Sequence, residues 1–208
     1  MKKHRPGQEG FETSFQVRSH DSPLSPDEYA RLPKHPIHIV LDRLRSAWNV
    51  GAIFRIADTA RAAEVVACGY TACPPHAKLE KTALGTQALV PSRRFDDAAE
   101  AVRALQAEGA FVVGLETTSV SLPYTRLKYP RPTALLLGNE ALGVRPDTLR
   151  MCDAVAEIPM HGSKNSLNVA SACAVVVFEI LRQWETKDGA AAGRTRQKRR
   201  RECSLWTA

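Results

Sequence analysis

The chain has 208 residues, 44% of them apolar and 25% charged, and its 29 Lys and Arg against 22 Asp and Glu leave a formal charge of +7. That balance suits one globular domain of roughly 150 residues with extensions, and it excludes wholesale disorder and a collagen-like chain. The longest nearly apolar run, Val169 to Phe178, is far shorter than the ~18 to 20 residues that cross a bilayer, and the opening MKKHRPGQEGFETSFQ has charges with no apolar stretch behind them. A soluble, cytoplasmic protein without a secretory signal is expected.

The charge is uneven. Residues 189–208 hold six basic residues (Arg194, Arg196, Lys198, Arg199, Arg200, Arg201) and one acidic residue, Glu202, whereas residues 37–188 carry 17 basic and 16 acidic. The body is nearly neutral and the tail makes the protein basic. Five scattered cysteines form no C-x-x-C pair, which argues against a disulfide framework. Cys68, Cys73 and His76 come nearest to metal spacing, but a fourth ligand is missing and no metal is expected.

Residues 1–34, rich in Ser, Pro, Glu and His and without either period, read as a flexible arm. From residue 35 onward short β-branched runs appear at Ile37 to Leu41, Glu64 to Cys68, Phe111 to Leu115, Ala134 to Leu137 and Ala154 to Ile158. Stretches with helical character separate them, so the expected class is α/β, a parallel sheet flanked by helices. Predicted helices are Val50 to Ala63, Asp96 to Glu108 stopping at Gly109, and a last one from Val169. In that last helix Val169, Ala172, Cys173, Val176, Val177, Ile180, Leu181 and Trp184 follow the helical period, and the end is expected near Lys187-Asp188-Gly189. The domain is therefore read as residues 35–188, with 189–208 a basic tail that cannot bury a core.

In parallel α/β proteins ligands sit beyond the carboxyl ends of strands, which directs attention to three loops. They are Asp42 to Gly51, opening a helix that carries Arg55; Gly138 to Gly143; and Pro159 to Asn168, opening the last helix. No G-x-G-x-x-G, G-x-x-x-x-G-K-[ST], H-E-x-x-H or G-x-S-x-G occurs, so dinucleotide dehydrogenase, P-loop NTPase, zincin and serine hydrolase readings lose their main support. Taken singly, the glycines suit turns, and Ser166 or Asn165 suits a helix N-cap.

Together, N-x-G-x-x-x-R (Asn49, Gly51, Arg55), L-x-G-N-E-x-x-G (Leu136, Gly138, Asn139, Glu140, Gly143) and I-P-M-x-G-x-x-x-S-L-N (Ile158 to Asn168) resemble the three motifs of the SpoU/TrmH branch of the SPOUT methyltransferases. The resemblance runs from about residue 37 to 185. It implies a C-terminal deep trefoil knot, a homodimer with its active site at the subunit interface, S-adenosyl-L-methionine as cofactor, and methylation of the ribose 2′-hydroxyl of RNA.

By the same resemblance Arg55 is the catalytic residue, with Asn49, Glu140, Ser166 and Asn168 around the ribose. Backbone at Leu115, Gly138, Ile158 and Leu167, with Met160 alongside, would hold the cofactor. In-line methyl transfer needs alignment and proton removal but no metal. Free guanidinium has a pKa of ~12.5 to 13.8, so whether Arg55 accepts the proton or stabilises the alkoxide stays open. The arm is too short for a separate RNA-binding domain such as larger ribosomal RNA enzymes carry, which favours tRNA over rRNA. The alternatives are a knotted RNA-binding or ribosome-assembly factor without catalysis, and a base-methylating enzyme.

Overall fold

A computed structural model describes residues 25–203, without the side chains of Pro26, Lys187 and residues 189–203. Residues Met1–Pro33 and Lys34–Ala208 form two separate units. In the first, helix α1 (Pro26–Arg31) is closed by a capping box in which the Ser25 side chain and Glu28 satisfy each other's backbone amides. The expectation of a structureless arm therefore fails for residues 26–31. Its earlier part, residues 1–24, lies outside the described residues.

The second unit is built on seven parallel strands: β1 (His35–Asp42), β2 (Ala62–Cys68), β3 (Ser92–Phe95), β4 (Phe111–Leu115), β5 (Leu122–Pro123), β6 (Thr133–Leu137) and β7 (Ala154–Glu157). Their order is β3-β2-β1-β6-β4-β7-β5. The α/β expectation is met. The central strands are buried on both faces, as their unbroken apolar runs require: every residue of Thr133–Leu137 is buried.

One face packs against α2 (Ala47–Thr59), α3 (Ala77–Ala83) and α6 (Val169–Cys203), through Ile37, Ile39, Leu41, Ile53, Leu79, Val176 and Trp184 among others. Val40, Val66, Val112 and Leu136 face the other way, against α4 (Ala98–Ala107) and α5 (Pro146–Met151). The long connection before β6 is pinned to α6, where Trp184 Nε1 donates to the Tyr129 carbonyl (2.9 Å) and Gln183 Nε2 to that of Leu127 (2.9 Å).

Two strands lay outside the predicted set. β3 reads Ser-Arg-Arg-Phe, with no apolar alternation; Arg93 holds it to β2 through Glu64, with Nε 2.8 Å and Nη2 2.6 Å from the carboxylate. β5 is a two-residue edge strand, too short to show a period. α2 begins three residues before the predicted start, behind the Ser46 N-cap, and ends at Thr59, where Arg61 turns to a φ of +47°. The last helix does not stop at 187–189 but continues to Cys203. Gly189 and Gly193 each cost a helix only about 1 kcal/mol, and the Ala, Arg, Lys and Gln around them are good helix formers.

Motif residue Gly51 has a packing role. A β-carbon there would lie 2.9 Å from the Ala83 amide nitrogen and closer still to the Thr82 side chain, so the glycine sets how near α2 approaches α3. Gly51→Ala is expected to lower stability by about 1–3 kcal/mol through overpacking, read as a fall in the urea midpoint at constant m-value.

Candidate active site

At the carboxyl ends of β4, β6 and β7 lies a cleft of about 920 Å³. It lies beside the place where chain order breaks, β6 being inserted between β1 and β4, and this is where open parallel sheets bind ligands. Leu115, Leu137 and Ile158 line it with apolar strand ends; the segments after β4, β6 and β7, Asn49 of α2 and the first turns of α5 and α6 supply the rest.

The β6 loop is closed on itself. Asn139 and Gly143 exchange backbone hydrogen bonds, the Asn139 amide to the Gly143 carbonyl (3.2 Å) and the Gly143 amide back (2.8 Å). A β-carbon on Gly138 would stand 2.7 Å from the Gly143 carbonyl oxygen and nearer still to the peptide that follows, so only glycine fits at that corner. Asn139, 4% exposed, uses its whole amide: Nδ2 donates to the Arg43 carbonyl (2.7 Å) and the Tyr70 hydroxyl (2.8 Å), and Oδ1 accepts from the amides of Ala141 (2.9 Å) and Leu142 (3.0 Å).

Glu140 then reaches across to the β1 loop. Oε2 accepts from the Arg45 amide (2.9 Å), and Oε1 accepts from the Ser46 amide (3.1 Å) and Asn49 Nδ2 (2.9 Å). Asn49 Oδ1 in turn accepts from Asn168 Nδ2 (3.0 Å). Asn168 Oδ1 caps α6 by accepting from the amides of Ala170 (3.0 Å) and Ser171 (3.3 Å). The cap of the last helix is thus Asn168 rather than Ser166 or Asn165, and Ser166 hydroxyl only meets Asn165 Oδ1 (3.5 Å). Burial pushes the Glu140 carboxyl up, but the Arg45 amide and the Asn49 side chain outweigh it and hold the group below the usual carboxylate range.

Of the residues picked from the sequence, Asn49, Glu140, Ser166, Asn168, Leu115, Gly138, Ile158, Met160 and Leu167 all line this one cleft. Arg55 does not. It is exposed on α2, outside the lining, and makes no hydrogen bond or ion pair among the described residues. The β6 loop's anchor, Asn139, went unassigned in the sequence reading although it stands inside the second motif. Glu116 was also passed over: its carboxylate accepts from the amides of Val144 (3.1 Å) and Thr117 (3.2 Å) and faces the cleft. Its position directly after the predicted strand end Leu115 was the available signal.

The lining contains Glu116, Glu140 and Glu157 and no Lys, Arg or His. Each of these carboxylates accepts from neutral donors, Glu157 from the Ser121 hydroxyl (2.7 Å), and none is ion-paired among the described residues. Such a cleft suits an apolar or cationic ligand and disfavours a phosphate. Cys68, Cys73 and His76 gather no ligand set: Cys68 is buried and His76 Nδ1 caps α3 by accepting from the Leu79 amide (3.3 Å).

The Glu140 bridge has a definite pH signature. Its folded pKa lies below the unfolded value of ~4.3, so the stability it adds is present above that value and is lost as pH falls through the folded pKa. Glu140→Gln is expected to cost about 1 kcal/mol at neutral pH and to flatten the stability curve below about pH 4, measured by urea unfolding across that range.

Comparison with known proteins agrees with this geometry. Residues 36–178 match the model of the SpoU rRNA Methylase family. The 23S rRNA (guanosine-2′-O-)-methyltransferase of Vibrio cholerae is 36% identical over 157 residues, 76% of this chain and 63% of that one. The enzyme of the same name from Pseudomonas aeruginosa is 35% identical over 148 residues, 71% of this chain and 59% of that one. The chain thus spans about six-tenths of the length of these curated relatives. Among solved structures, the TrmH/SpoU tRNA modifying enzyme of A. aeolicus superposes with a TM-score of 0.70 at 25% identity, covering 78% of this chain and 82% of that one. The AdoMet-bound rRNA methyltransferase of Sinorhizobium meliloti gives 0.66 at 30% identity, covering 74% and 59%. With three motif loops meeting in one cleft and the family model matched across its whole sheet, the chain belongs to the SpoU rRNA methylase family.

Proposed function

We propose that the protein transfers a methyl group from S-adenosylmethionine to a ribose 2′-hydroxyl of RNA. The observation that carries this reading is the convergence of the three motif loops on one cleft, joined by the Glu140–Asn49–Asn168 bridge. The named relatives, 2′-O-methyltransferases of 23S rRNA, support it, as does the AdoMet-bound neighbour. They also move the substrate class: the tRNA preference expected from the short arm finds no support among these relatives, and rRNA is the better reading.

The cleft fits the cofactor. Apolar strand ends at Leu115, Leu137 and Ile158 suit a neutral adenine, and uncompensated carboxylates suit a sulfonium rather than a nucleotide phosphate. Leu115, Gly138, Ile158, Met160 and Leu167 would hold it; when bound, it supplies an electrophilic methyl group. The chain's own residues align the nucleophile and manage charge. Asn49, fixed at both ends of its amide, presents a rigid polar group to the cleft beside the capped start of α6, and Ser166 shares the same lining. A guanidinium is a fixed, planar cation with five donors, so the part assigned to Arg55 is to stabilise the developing alkoxide and the neighbouring phosphate.

Arg55 stands outside its own cleft lining, which suits a homodimer in which it serves the partner's site. A stripe on α6 supports such a dimer: Ser171, Val175 and Phe178 (48% exposed) follow a helical spacing along one side. The insertion of β6 between β1 and β4 is the topology a trefoil knot would need, and the knot belongs to this proposal.

Arg55→Ala is expected to reduce methyl transfer by ~10²–10³-fold while calorimetry shows S-adenosylmethionine affinity retained; affinity falling in parallel with turnover would contradict the assigned role. Asn49→Ala should show the same pattern less completely. Phe178→Asp should shift sedimentation toward the monomer and lose activity with it. Sequencing that detects 2′-O-methylation, run on RNA from cells with and without the gene, identifies the substrate; an unchanged map in every RNA class would overturn the reading.

A further inference from the structure

We propose that Trp48 is a stacking platform for an unpaired base of the RNA next to the nucleotide being methylated, an inference that rests on the methyltransferase reading of the cleft. On α2, Val50, Gly51, Ile53, Phe54 and Ala57 are buried, whereas Trp48, Arg55 and Thr59 are exposed at i, i+7 and i+11. Trp48 and Arg55 therefore share one face, two turns or ~10 Å apart along the axis. That distance matches a few stacked bases at ~3.4 Å each.

The indole is 73% exposed and makes no ring contact among the described residues. Its backbone is nonetheless rigid: Ser46 caps the helix, and Glu140 holds the amides of Arg45 and Ser46. The next residue, Asn49, lines the cleft and is bonded to Glu140 and Asn168. The backbone that carries this large aromatic side chain is thus fixed, one residue from the cleft lining.

Electrostatics decides what covers it. The cleft lining carries three carboxylates and no cation, so the RNA backbone is held outside it. Arg45, just before the helix, and Arg55, on its outward side, are exposed and without an ion-pair partner among the described residues, one on either side of Trp48 along the chain. One exposed indole between two free guanidiniums matches a strand with splayed bases and a phosphate backbone better than it matches an apolar subunit surface. A paired, stacked duplex offers no base face to the indole. The site therefore selects loops and other unpaired segments.

The test is methyl transfer to total RNA from cells lacking the gene, by wild type, Trp48→Ala and Trp48→Phe. Loss of one stacked base is expected to raise the RNA KM of Trp48→Ala on the order of 10- to 100-fold, the loss falling on KM rather than kcat, with Trp48→Phe recovering most of it. Calorimetry should show S-adenosylmethionine affinity unaltered. In a Trp206→Phe background, a single-stranded RNA of roughly 12 nucleotides should quench tryptophan emission more strongly than the same sequence as a duplex. An unchanged KM in Trp48→Ala, equal quenching by duplex, or conversion of a dimer to monomer by Trp48→Ala would each overturn the proposal, the last by making the indole a subunit contact. Should wild type methylate no RNA at all, the methyltransferase reading fails, and quenching by the single strand still decides the role of Trp48.

Discussion

A carboxylate that accepts from two backbone amides and one side-chain amide joins the first motif loop to the second, and the geometry of the site follows from that junction. Glu140 leaves the β6 loop and closes on Arg45, Ser46 and Asn49, fixing the start of α2. Asn49 passes the constraint to Asn168, which is at once a partner of Asn49 and the cap of α6. Charge-assisted bonds of this kind are roughly twice as strong as neutral ones. Three segments far apart in sequence are held by a chain of only three side chains, so a change in any one of them reaches the others.

The junction depends on a loop that cannot deform. Gly138 leaves room for the Gly143–Val144 peptide to pass, and Asn139 spends every donor and acceptor of its buried amide on keeping the turn closed. Losing it would strand the Arg43 carbonyl and two backbone amides without partners, each at a cost of about 1–3 kcal/mol where buried. The second motif therefore works mainly as architecture: its glycines and Asn139 shape the loop, and only Glu140 reaches out of it.

Charge is divided between the inside and the outside of the site. The cleft is lined with carboxylates and no cation, whereas Arg45, ahead of α2, and Arg55, on its exposed side, lie outside the lining. This changes how the +7 of the chain should be understood. The basic run at 194–201, whose side chains lie outside those described, supplies most of that excess, so the +7 is not a property of the site.

Much was legible in the sequence because it was local. The strands at Ile37–Leu41, Glu64–Cys68 and Ala134–Leu137 declared themselves by apolar runs, the buried stripe of α6 by its period, and eight of the nine candidate residues that line the cleft by motif spacing, Leu115 lying outside the motifs. Signals below one period in length were not legible: β5 has two residues, β3 depends on an Arg93–Glu64 pair formed across strands, and α1 depends on a single capping box. What the sequence by itself determined was the class of fold and which residues carry polar groups after strand ends, since periodicity and motif spacing are properties of the local chain. Only the tertiary structure decided that β6 enters between β1 and β4, that Glu140 and Asn168 close on the same Asn49, and that Arg55 points out of its own cleft. Those outcomes depend on contacts spanning some 90 to 120 residues, which no local pattern encodes.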